Sequence, residues 1–286
     1  MTAGPPRAFF LPADTGQRYC LYHVPAGAPR SAVLHVHAFA EELNKTRRMA
    51  ALQARALAAA GHAVLQIDLL GCGDSSGDFG DARWDIWIAD LRLAWQWLVR
   101  QPAHAGLPLW LWGVRAGCLL ATECARTLQD PAHLLFWQPS FGDGAMQLQQ
   151  FLRLRLAADM LALPDAVGGA RQAMQALTQQ LARGEPLQIA GYRLDAALAS
   201  SLRTSSLSPP DAAGTSRQLV WLETGTAAEP ALSPLGARLA PLWSQAGWRV
   251  HSGAVSGPAF WQSTEIEEAP ALLAATLAAL GANHFA

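Results

Sequence analysis

Pro108-Leu109-Trp110-Leu111-Trp112-Gly113-Val114-Arg115-Ala116-Gly117-Cys118-Leu119-Leu120-Ala121 reads as a buried strand, a tight turn and the start of an apolar helix. Gly113 and Gly117 bracket the turn, and glycine lets a strand swing sharply into a helix. Arg115 stands at the apex between them. A serine there would be presented as a nucleophile. A guanidinium stays protonated at any physiological pH and cannot attack a carbonyl. The turn therefore presents a fixed cation above the carboxyl end of a strand.

Outward from this turn, short apolar strands alternate with longer amphipathic helices, the pattern of a mostly parallel sheet covered on both faces. Residues 18–23, 32–37, 63–68, 109–112, 134–137, 218–223 and 248–252 read as strands. Residues 45–60, 84–100, 116–128 and 264–280 read as helices, with Gly61 as a stop signal. Between 140 and about 206 only helical patterns occur, over 147–163, 170–183 and 194–202. The loop 205–216, rich in Ser, Pro and Gly, returns the chain to the sheet. The expected organisation is a core of 1–139 and 217–286 with a helical cap, or lid, at 140–216.

Length and composition agree. The 286 residues, 51% of them hydrophobic, suit one large α/β domain with an insertion, or two smaller domains. A formal net charge of −1 lacks the basic excess of a nucleic-acid binder. Cys20, Cys72, Cys118 and Cys124 form no C-x-x-C pair or zinc-like spacing and read as reduced thiols. The first ten residues hold too short an apolar run for a signal peptide, and no stretch is long enough to span a bilayer. These features lead us to expect a cytoplasmic protein.

The strand, turn, helix and later insertion together resemble the α/β-hydrolase superfamily over nearly the whole chain. The loop Asp68-Leu69-Leu70-Gly71-Cys72-Gly73-Asp74-Ser75 is similar to the D-x-x-G-x-G-x-S loop of many such enzymes. Residues 35–49, 113–117 and 257–262 resemble one branch more narrowly, the exosortase A system-associated hydrolase 2 family. That branch is the second of two hydrolase-like proteins found beside exopolysaccharide and protein-sorting genes. The resemblance implies a neighbourhood and a companion hydrolase; it names no reaction, because fold does not establish function.

A serine triad needs a nucleophile, a base and an orienting acid. Arg115 occupies the nucleophile position and Phe260, followed by Trp261, the histidine position. His251 falls within the strand reading, and Glu229 stands one position late for the acid. Ordinary Ser-His-Asp catalysis is not expected.

Arg115, the helix amino terminus at Ala116 and the loop near His37 and Phe39 could together hold a carboxylate or phosphate. Phe260 and Trp261 would complete such a ligand site. Alternatively, Glu41 or Glu42 neutralises Arg115 internally, since an unpaired buried charge is costly. Those two glutamates belong to a charged run with Lys45, Arg47 and Arg48 that also reads as a solvated helix start. Either could act as a general base on a bound water. His35 and His37 share one face of a strand, but no further histidine or acid follows at ligand spacing, so no metal is expected. The loop after residue 68 departs from G-x-G-x-x-G, and no cofactor is expected. Three readings stand. One is a degenerate hydrolase that binds an anionic or acylated ligand; another is an atypical hydrolase of ester, thioester or glycan substituents. The third is a structural partner of a companion hydrolase.

Overall fold

The computed structural model describes residues 4–139, 142–162, 169–211, 216–263 and 265–281. Residues 140 and 141, the expected helix end at 163, the loop segment 212–215 and the expected helix start at 264 lie outside the described residues. The strands are β1 (Arg7–Pro12), β2 (Gln17–His23), β3 (Ser31–Val36), β4 (His62–Ile67), β5 (Leu109–Val114), β6 (His133–Trp137), β7 (Leu187–Ile189), β8 (Tyr192–Leu194), β9 (Gln218–Gly225) and β10 (Arg249–Ser256). The helices are α1 (Glu41–Ala59), α2 (Trp84–Val99), α3 (Gly117–Thr127), α4 (Gly144–Ala162), α5 (Ala170–Ala182), α6 (Ala196–Thr204), α7 (Pro234–Gln245) and α8 (Pro270–Gly281).

The eight-stranded sheet runs β1-β2-β4-β3-β5-β6-β9-β10. Antiparallel pairs join β1 to β2 and β2 to β4, and the remaining neighbours are parallel. The central strands are buried along their length because helices cover both faces: β3 has no exposed residue, and Trp110, Trp112, Phe136 and Trp137 are fully buried. Helices α1 and α8 pack on one face, with Met49, Ala54, Leu57 and Leu272 against Val33, Val64 and Trp112. The other face carries α2, α3 and α7, where Trp87, Leu119 and Trp243 meet Leu34, Leu111 and Phe136.

Several expectations are corrected. The expected final helix overran its start: α8 begins at Pro270, where a missing N–H and a fixed φ suit a first helical turn. Helix α1 starts at Glu41 rather than 45, so the charged run is the helix itself. Strand β1 and helix α7 went unread. The segment between β6 and β9 is not purely helical, because the β7–β8 hairpin joins α4, α5 and α6. Among the described residues no helix is long and apolar enough to cross a membrane.

Candidate functional site

The apex of the β5–α3 turn is built by sterics. A Cβ on Gly113 would lie 2.7 Å from the Cys118 Cα, and one on Gly117 would lie 2.5 Å from the His37 carbonyl oxygen. Strand and helix cross too closely there for any side chain. Arg115 has φ +56°, the left-handed conformation that costs a non-glycine residue about 1–3 kcal/mol. Ala40 after β3 (φ +50°) and Gln138 after β6 (φ +45°) are held likewise. Three strained residues thus stand at the carboxyl ends of three neighbouring strands, and the middle one carries the side chain at the centre of the site.

That side chain is the Arg115 guanidinium, in a residue only 5% exposed. Its Nε and Nη2 donate to Glu42 Oε1 at 3.2 and 3.1 Å, and Nη1 donates to the Gln138 carbonyl at 3.3 Å. The Trp261 ring faces it, with the guanidinium carbon 4.9 Å from the ring centroid. Gln150 of α4 donates through Nε2 to the same Glu42 oxygen at 3.4 Å. Glu42 is buried, and its Oε2 has no hydrogen-bond partner among the described residues. Phe260 packs edge-on against Trp137 and Trp261.

Glu41 precedes Glu42 in the first turn of α1, where acidic residues favour the helix dipole. Burial pushes its carboxyl up to about 7; the charge of Glu42 adds to this, while its own backbone N–H, Lys45 and Arg115 oppose it. The folded state therefore holds the Glu41 proton more tightly than the unfolded chain does. This contribution is fully present below the usual glutamate range and is lost as pH rises through about 7. Denaturant unfolding of the wild type and Glu41→Gln at pH 5 and pH 8 checks the sign. The wild type should weaken more over that interval, and the variant should be the more stable at pH 8.

The structure brings Arg115, Glu42, Phe260 and Trp261 together and leaves other expected residues apart. Ala116 is the buried residue that caps α3. His37 is a clamp: its Nδ1 faces the Ala38 carbonyl at 2.8 Å, and its Nε2 accepts from the Leu69 N–H at 3.4 Å. Phe39 turns away, packing on Phe79, Trp87 and Phe151. Glu229 is exposed. The buried carboxylate near it in the chain is Glu223, which accepts from Trp221 Nε1 and from the Ser233 N–H and hydroxyl beside α7. Gln138 and Gln150 went unforeseen. The end of β6 offered a signal for Gln138, whereas the register of α4 over the core offered none for Gln150.

A family of known sequences, serine aminopeptidase, S33, matches residues 27–201. No match was found among curated proteins. Solved structures share the fold. Est1E from Butyrivibrio proteoclasticus, bound to ferulic acid, is similar at 13% identity, with 96% of each chain covered and a TM-score of 0.60. A soluble variant of monoglyceride lipase from Saccharomyces cerevisiae, in complex with a substrate analog, has 12% identity, 97% and 94% coverage and a TM-score of 0.62. A thermostable carboxyl esterase from Bacillus coagulans, in complex with glycerol, has 13% identity, 89% and 91% coverage and a TM-score of 0.55.

Proposed function

We infer that this chain, which belongs to the serine aminopeptidase S33 family of α/β hydrolases, keeps the family's frame and works without its serine chemistry. The observation that carries the reading is Arg115 at the elbow, paired with buried Glu42 at 3.1 Å and faced by Trp261. The nucleophile position holds a cation, and Phe260 supplies no base. The closed ion pair favours a structural, partner-binding role. Three of the five N–H donors of buried Arg115 already have acceptors and Glu42 balances its charge, so an anionic or acylated ligand would compete with Glu42 for it. The exosortase-linked resemblance makes a companion hydrolase the partner of choice. The test is exposure of the purified protein to a fluorophosphonate probe and to short p-nitrophenyl esters. No labelling and no turnover are expected, for the wild type and for Arg115→Ser alike. Stoichiometric labelling mapped to a serine overturns the reading.

One observation favours a second reading, an atypical hydrolase with Glu41 as general base. Its carboxyl titrates near 7, where a base is most effective, and its buried Oε2 has no partner among the described residues. Turnover of an ester, thioester or acylated glycan that rises through pH 7 and vanishes in Glu41→Gln would select it.

A further inference from the structure

A cavity of about 220 Å³ lies beneath the amino-terminal half of α1, beside β2 and the carboxyl ends of β3 and β4. His35, Gln66 and Asp68 line it from the sheet, Thr46 and Arg47 from α1, and Asp74 from the glycine-rich loop. None of the residues around Arg115 takes part except through α1, which turns Glu42 to the elbow and Arg47 to this cavity. Small ligands in open α/β sheets favour this level, outside the carboxyl ends of the strands.

The lining mixes apolar side chains, Leu21, Leu43, Ala50, Ala51 and Ile67, with polar groups that are partly unspent. His35 is 5% exposed, and its Nε2 has no hydrogen-bond partner among the described residues, although buried polar atoms are almost always bonded. It is in register with Gln66 on β4 and Trp112 on β5, so the three side chains share a face. Its ring lies 4.5 Å from that of Trp112. Gln66 Oε1 is engaged by His23 Nε2 at 2.9 Å, which leaves its amide hydrogens as donors. Asp68 Oδ2 accepts the Asp74 N–H at 3.0 Å, which leaves Oδ1 as an acceptor. The Thr46 hydroxyl donates within its own helix and keeps its lone pairs. Arg47 and Asp74 are exposed at the rim with no ion pair among the described residues.

Two carboxylates against one guanidinium disfavour an anion. Burial also holds His35 down to about 3, so its ring adds no positive charge at neutral pH. The volume falls below the ~300 Å³ at which drug-sized sites begin, so the occupant is a single small ring or short chain. Donors and acceptors set beside apolar side chains match a ring whose edge carries hydroxyls, each able to donate and accept, and whose faces carry C–H groups. We propose that this cavity binds one neutral polyhydroxylated ring, of hexose size, between the unpartnered His35 nitrogen and the Gln66, Asp68, Asp74 and Arg47 side chains.

The experiment is amide and indole NMR of the full chain titrated separately with D-glucose, D-galactose and N-acetyl-D-glucosamine, with ethanolamine and inorganic phosphate alongside. At least one sugar should give saturable shifts at Thr46, Arg47, Asp74 and the Trp112 indole. Ala51→Leu, which narrows the cavity from a helix position that tolerates leucine, should weaken that sugar at least tenfold. His35→Phe should do the same, with circular dichroism confirming that each variant is folded. The proposal fails if no sugar saturates, if the shifts map elsewhere, or if ethanolamine or phosphate binds more tightly. It also fails if folded Ala51→Leu binds as the wild type does.

Discussion

Glu42→Gln should lower the unfolding free energy by about 3–5 kcal/mol, and adding Arg115→Met should recover most of that loss. The pair is buried on both sides, with side chains only 6% and 3% exposed. Removing one charge leaves the other desolvated without a counter-charge, whereas removing both replaces an ion pair with packed apolar surface. Recovery should fall short by two contributions. The guanidinium also faces Trp261, worth about 0.5–2 kcal/mol, and Gln150 loses the charge on its acceptor. Urea unfolding of the two single variants and the double variant gives the coupling energy. Additive losses would mean that Arg115 and Glu42 do not hold each other, and the closed-elbow account would fall.

Gly117→Ala should be the other severe change, costing about 3 kcal/mol or more. Its new methyl would meet the backbone carbonyl oxygens of Val36 and His37, not the yielding end of a side chain. Relief requires moving α3 away from β3, and inserted atoms in a well-packed core typically cost about 1–3 kcal/mol even where side chains can shift. Gly253→Ala is the control. Nothing lies within 4 Å of the added methyl on β10, so its midpoint should stay close to that of the wild type. A small effect at Gly117 would show that the elbow is looser than its geometry implies.

The strands flanking the elbow were readable because each is an unbroken apolar run bounded by turn residues, the signature of burial on both faces. Strand β1 escaped because it is an edge strand with only Leu11 buried, so its residues show no alternation. Helix α7 escaped because Pro241 sits inside it, a position at which a sequence pattern is read as broken. The hairpin strands β7 and β8 are three residues each, too short for any period. At the site, the pairing of Arg115 with one of the two glutamates that follow β3 came from the need of a buried cation for a counter-charge. The choice of Glu42 over Glu41 did not, because it depends on how far α1 is wound at its first turn. His37 and Phe39 belong to the loop just before α1, yet they serve as a clamp and as packing, roles set by neighbours distant in sequence.

The order of strands also governs how this chain must be made. Strand β3, buried on every side in the finished sheet, lies between β4 and β5, and Ala32 pairs with Leu109. A ribosome adding about 5–20 residues per second needs roughly 4–15 s to travel from one to the other. Until β5 emerges, β3 presents a bare apolar edge to the surroundings, an invitation to pair with another nascent chain. Faster or warmer expression lengthens the queue of such chains faster than it closes any of them. The yield of folded protein should therefore depend on chaperone capacity while residues 32–109 emerge.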